Sequence, residues 1–183
     1  MDYESLKTPA DDVVRDGASF EAYRLPGDLI DSQHPIIVAY ARRVAGDGSD
    51  REKALRLYYA VRDELRYDPY NTPMKRDAYR ASTTVAAGHG YCVNKAGVMA
   101  AVCRAAGIPA RLGYADVRNH MTTKRLSELM GSDVFYYHGY TDVWLDGHWV
   151  KATPAFNREL TDKFGLKPLD WDAMGDSIYH PFD

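Results

Sequence analysis

The order of patterns along the chain predicts an α+β fold in which helices pack on one antiparallel sheet. Three observations carry that expectation. Two amphipathic segments open the chain, at residues 34–45 and 49–67. A third helical segment starts at Cys92 and stops at Gly107-Ile108-Pro109, and two β-rich runs joined by Asp146-Gly147 follow it.

The first segment, HPIIVAYARRVA, places Ile37, Tyr40, Ala41 and Val44 on one helical face, with Gly46 as a stop. In the second, Ser49 and Glu52 have the spacing of a capping box, and Ala54, Leu55, Tyr58, Val61 and Leu65 recur at helical intervals. Residues 67–88 carry Pro69, Pro73 and many charges and read as a long loop, in which Ser82 is placed to cap one short helical turn. After Cys92, a stripe of Ala96, Met99, Ala100, Cys103 and Ala106 predicts a helix packed on the core. Residues 110–117 read as a short strand, and a helical piece near 158–164 precedes an irregular tail. One domain is expected over 1–183. Its core runs from about 50 to 156, with a helical extension at 1–49 and the tail at 157–183.

Asp-Gly between β-branched and aromatic runs signals a two-residue hairpin. With that turn, Leu145 pairs with His148, Trp144 with Trp149, Asp142 with Lys151 and Tyr140 with Thr153. Alternation then puts His138, Tyr140, Asp142, Trp144, Trp149, Lys151 and Thr153 on one face. Gly139, Thr141, Val143, Val150 and Ala152 share the other face and are small enough to pack on a helix. Asp142 lies four residues from His138, roughly 13 Å along the strand, so its expected partner is Lys151. Thr153 is the diagonal neighbour of His138, about 7–8 Å between backbones, and is expected to hold it. The set Tyr136, Tyr137, Tyr140, Trp144 and Trp149 reads mainly as sheet packing.

The bulk numbers exclude some functions. Hydrophobic residues are 45% and charged residues 27% of the chain, as in an ordinary globular domain, and the net charge of −3 argues against nucleic acid as a partner. Lys124-Arg125 is a pair, not a basic patch. No apolar run approaches the roughly 20 residues of a membrane span. The opening residues are acidic and polar, unlike a secretory leader, so a cytoplasmic location is expected. Two cysteines are too few for a disulfide framework and fit a reducing compartment.

Cys92 stands at a predicted helix start, where free N–H groups and the helix dipole favour an anion. That environment is expected to lower its pKa and make it a nucleophile, more so beside a histidine. Gly88 and Gly90 would let a substrate approach the sulfur. Cys103 lies three turns further on, roughly 16 Å away, too far for a disulfide, and reads as core. Taken alone, Cys92 reads as a small buried hydrophobe, which is what most free cysteines are. His89 with Cys92 and His120 or His138 lacks the close ligand pairs of a zinc site, so no metal and no cofactor are expected. Asn119-His120 could line a cleft, His34 and His148 read as surface residues, and His180 has no assigned place.

In order, Gly90-Tyr91-Cys92, Gly107-Ile-Pro-Ala-Arg111, His138 and Trp149-Val150 resemble the transglutaminase-like superfamily, whose fold is similar to that of papain-type cysteine proteases. The resemblance covers about residues 50–156. It implies that Cys92 is the nucleophile and His138 the general base and later acid. The family's third residue is an aspartate before a proline, and alignment on Pro154 puts Thr153 there. A threonine oxygen can accept a hydrogen bond from imidazole but carries no charge. Gly90, Tyr91 and Tyr140 are the candidate substrate-binding positions. The Cys92 N–H plus a donor from Tyr91, Thr83 or Thr84 would stabilise an oxyanion. The implied activity is acyl transfer through a thioester from a peptide, protein or small amide. The alternative is a binding module that keeps the fold without the full triad.

Overall fold

Helix α1 (Pro35–Ala45) starts where His34 accepts a hydrogen bond from the Ile36 N–H and Pro35 presets the first turn. In this computed structural model, residues 20–118 and 134–178 are described. The first nineteen residues, Asn119-His120, Lys124-Arg125 and His180 lie outside them. α1 buries Ile37, Tyr40 and Ala41 as the periodicity predicts, with Ala45 rather than Val44 completing the face. Helix α2 (Asp50–Glu64) carries the expected capping box: Ser49 N–H donates to the Glu52 carboxylate at 2.8 Å, and Glu52 N–H returns to the Ser49 hydroxyl. Its buried face includes Leu57 rather than Leu55, because α2 packs against both α1 and the central helix.

The predicted loop contains more structure than its composition shows. Strand β1 (Arg66–Tyr67) leaves α2, and a 3-10 turn (Arg76–Tyr79) leads into helix α3 (Ala81–Ala87). Strand β2 (His89–Gly90) then pairs in parallel with β1, Arg66 opposite His89 and Tyr67 opposite Gly90. Ser82 lies inside α3 instead of capping it. The cap comes from Asp31, whose carboxylate accepts from the Ser82 N–H at 3.0 Å and the Ser82 hydroxyl at 2.5 Å. A donor's partner 51 residues away leaves no local pattern.

Helix α4 (Cys92–Ala105) is the centre of the molecule. From Asn94 to Cys103 every residue is buried, so the single apolar stripe underestimates its enclosure. Gly107, at φ +83°, turns the chain out of it. Strands β3 (Ala110–Arg118), β4 (Val134–Leu145) and β5 (His148–Ala152) form an antiparallel sheet in the order β3-β4-β5. Asp146 and Gly147 take positive φ, and the pairs Leu145–His148, Trp144–Trp149 and Asp142–Lys151 match the predicted register.

The inner face of the sheet lies on α4, where the Thr141 hydroxyl donates to the Ala96 carbonyl at 2.9 Å. On the opposite face, Phe20 packs against Trp144 and Trp149 with ring centroids 4.4 and 5.9 Å apart. There Asp142 prefers a different partner from the one expected. Arg111, directly across the ladder, reaches it at 2.9 Å, whereas Lys151 stands at 3.9 Å. The planar guanidinium spans adjacent strands flat, while the lysine amine is shared with Asp176.

Helix α5 (Arg158–Phe164) leads to a tail that is irregular but anchored. Ser177 N–H donates to the Lys151 carbonyl at 2.8 Å beside a bridge between Ala152 and Ser177. The Leu169 carbonyl accepts from the Tyr58 hydroxyl at 2.9 Å and from buried Arg62 at 3.1 Å. Trp171 is buried against Tyr58. Among the described residues no helix is long and apolar enough to cross a membrane.

Candidate active site

Cys92 is the first residue of α4, and its side chain is 8% exposed. Strand β4 crosses the start of this helix at Gly139. A methyl group there would lie 2.8 Å from Val93 Cα and 3.2 Å from Val93 N, so only glycine permits the approach. The contact lets the Gly139 N–H point at the Cys92 sulfur, together with the N–H groups of Val93 and Cys92 itself. His138 directly precedes Gly139 and is buried. The strand that bears His138 therefore packs against the helix that bears Cys92. The ladder steps out of register between Ala115 and Val117, and Tyr137 takes φ +58°, both just before His138. Such a bulge re-aims the side chains that follow it.

The electrostatics differ from expectation in one respect. The N–H groups at the helix start do favour the thiolate, but burial is the larger effect and pushes the Cys92 pKa up. Position at a helix start was legible in the sequence; the depth of burial was not. Cys103 is fully buried in the core, and burial drives its pKa up as well.

Thr153 follows β5 and is 2% exposed. Its carbonyl accepts from the Tyr58 hydroxyl at 3.2 Å, but its own hydroxyl has no hydrogen-bond partner among the described residues. The expected bond to His138 is thus not formed: on a diagonal of roughly 7–8 Å, a side chain as short as threonine falls short.

The other named positions divide between site and packing. Tyr91 adjoins Cys92, and its hydroxyl donates to that of Tyr79 at 3.2 Å. Gly90 is buried, and a Cβ there would sit 2.7 Å from the Asn94 Cβ, so the space it leaves belongs to Asn94. Tyr140 is buried with its ring across Gly113, where a Cβ would meet Tyr140 Cζ at 2.2 Å. It lies on the sheet face away from α4. Of the suggested oxyanion donors, Thr84 already donates to the Arg80 carbonyl at 3.1 Å, and Thr83 is exposed.

Two features of the site were missed. Tyr67 and Tyr114 both lie within electrostatic range of the Cys92 sulfur, Tyr67 through its pairing with Gly90 and Tyr114 through its pairing with Gly139. Nothing in the spacing of 14 tyrosines marks these two. The second is Lys95, one turn below Cys92 and wholly buried. Its ammonium donates to the carbonyls of Arg62 and Leu65 at 2.8 and 2.7 Å, closing the end of α2 onto α4, and burial lowers its pKa to about 7. A lysine inside an otherwise apolar helix was the available signal. Among the described residues no three His, Cys, Asp or Glu side chains gather to hold a metal ion, although the buried Nδ1 of His89 lacks a hydrogen-bond partner.

The family model of the transglutaminase-like superfamily matches residues 38–154. No curated protein matches the chain. Among solved structures, a candidate cysteine protease from Cytophaga hutchinsonii superposes with a TM-score of 0.58 at 19% identity, over 86% of this chain and 47% of its own. The periplasmic domain of TgpA from Pseudomonas aeruginosa gives 0.49 at 21% identity, over 73% of this chain and 47% of its own. A candidate protease from Parabacteroides distasonis gives 0.46 at 17% identity, over 68% and 25%. The Cytophaga structure shares the fold, and this chain spans about half or less of the length of each of the three.

Proposed function

We propose, for a chain that belongs to the transglutaminase-like superfamily, a cysteine-dependent acyl-transfer reaction on a peptide, protein or small amide. The observation that carries this reading is the convergence at Cys92. The thiol sits at a helix start, three backbone N–H groups point at it, and the strand bearing His138 is pressed against that helix through Gly139.

Because burial raises the thiol pKa, the sulfur rests protonated and needs a base at the moment of attack. His138 takes the thiol proton as Sγ bonds to the substrate carbonyl carbon. The C–N bond then breaks, and His138 returns that proton to the leaving amine. A water or a second amine attacks the thioester, gives up a proton to His138, and the C–S bond breaks to release the thiol. The N–H groups of Cys92, Val93 and Gly139 hold negative charge on the sulfur as it develops, at no reorganisation cost. The Thr153 hydroxyl is buried and bonds no described residue, so it takes no part in these steps as the site stands.

The same unpartnered hydroxyl and the raised thiol pKa favour a second reading, a binding module that has kept the fold. Acetylation by p-nitrophenyl acetate separates the two. An enzyme acquires an acetyl group on Cys92 and turns over, while a binding module acetylates no faster than a free thiol of matched pKa.

A further inference from the structure

Tyr67, Tyr91 and Tyr114 lie around the start of the helix that carries Cys92, with Tyr70 beside Tyr67, and most of them are held from behind. Tyr67 N–H donates to the Asn157 side chain at 3.1 Å, Tyr70 N–H to Asp68 at 3.0 Å, and Tyr91 N–H to Asn94 at 3.4 Å. The rings are braced as well. Tyr67 packs on Phe156 with centroids 4.5 Å apart, and Tyr91 meets Tyr79 edge-on at 6.2 Å. Tyr114 stands opposite Gly139, whose missing side chain leaves its ring beside the helix start. It nevertheless keeps 51% of its surface in solvent, and Tyr70 keeps 47%.

The arrangement divides the chemistry of the mouth in two. The Asp68 carboxylate and the Asn94 amide next to it are committed to the protein's own groups. Asp68 accepts from Tyr70, Asn71 and Arg66, and Asn94 also donates to the Ala78 carbonyl at 2.9 Å. What is left for a ligand is aromatic surface, in a pre-set geometry that costs little ordering on binding. Sugar recognition needs carboxylates or amides free to bond ring hydroxyls, and these are spent.

We propose that the Cys92 site selects peptide-like acyl donors bearing an aromatic side chain next to the reacting carbonyl, with Tyr114 as the specificity-determining residue. The inference rests on the reading of Cys92 as the nucleophile.

The test compares two reagents with the same warhead, 2-chloroacetamide and N-benzyl-2-chloroacetamide. In each the Cys92 sulfur displaces chloride and forms a C–S bond. Rates of Cys92 alkylation are followed by mass spectrometry and divided by the rates of the same reagents with glutathione. The normalised benzyl-to-plain ratio should be about tenfold, since one ring contact contributes roughly a few-fold to tenfold. It should fall towards unity in Tyr114→Leu and persist in Tyr114→Phe. A ratio cancels any change in the thiol itself, and a two-state thermal transition confirms that each variant folds. A wild-type ratio near unity, or one unchanged in Tyr114→Leu, overturns the aromatic preference while Cys92 still stands as the nucleophile. Protection of Cys92 from the plain reagent by chito-oligosaccharide, without a benzyl preference, overturns it in favour of a sugar. Failure of both reagents to label Cys92 overturns the nucleophile and the preference together.

Discussion

Replacing Gly139 with alanine tests the contact that brings β4 to Cys92. The new methyl would lie 2.8 Å from Val93 Cα, while ordinary contact begins at 3.4 Å, so the strand must withdraw by at least 3.4 − 2.8 = 0.6 Å. Gly139 is not among the positive-φ residues, so alanine brings no backbone strain and the effect is steric alone. Overpacking of this kind costs about 1–3 kcal/mol of stability. The same withdrawal carries the Gly139 N–H, and with it the strand that bears His138, away from the sulfur, and a misplacement on the order of 1 Å lowers a rate by about 10²-fold. Urea denaturation reads the stability, and acetylation of Cys92 by p-nitrophenyl acetate, followed by intact mass, reads the chemistry. Gly175→Ala is the control, because a methyl there meets nothing within 4 Å. A folded Gly139→Ala protein that acetylates at the wild-type rate would refute the claim that this contact sets the geometry of the site.

Other outcomes follow from the same structure. Iodoacetamide should modify Cys92 and spare Cys103, and Cys92→Ala should abolish both labelling and acyl transfer; peptide mapping decides it. Because burial raises the Cys92 pKa, its thiolate fraction grows as pH rises beyond the usual thiol range near ~8.5. Alkylation should therefore still be accelerating at a pH where glutathione has levelled off, and an earlier plateau contradicts the burial effect. Thr153→Val removes a buried hydroxyl that bonds no described residue, so stability should rise by about 1 kcal/mol in urea denaturation; a loss of stability would contradict it. Lys95 has a native pKa of about 7, below its unfolded value near ~10.4. Between those values the unfolded chain binds the extra proton, so Lys95 makes stability climb with pH by up to roughly 1.4 kcal/mol per unit and exacts its full cost below 7. Lys95→Met should flatten that slope in denaturation measured from pH 7 to 10.

Local signals carried much of the fold. Ser49 and Glu52 announced α2, and Asp146-Gly147 set a register that put Thr141 against α4 and Trp144 beside Trp149. Cys92 at a helix start and His138 on a nearby strand were legible for the same reason. What stayed hidden depends on contacts between distant segments. Strands β1 and β2 are two residues each, too short to show alternation. The cap on α3 comes from Asp31, and the partner of Asp142 is settled by Arg111 on another strand. The direction of the Cys92 pKa shift turned on how deeply the fold buries the thiol. The tyrosine mouth had no spacing to betray it, since Tyr67, Tyr91 and Tyr114 meet only through three separate elements.

The most direct measurement of the central claim is the site and rate of acetyl transfer in the wild type and in His138→Ala. The account predicts an acetyl group on the Cys92 peptide alone, formed at least about 10²-fold more slowly when His138 is removed. Acetylation confined to other residues, or a His138→Ala rate equal to that of the wild type, would contradict it.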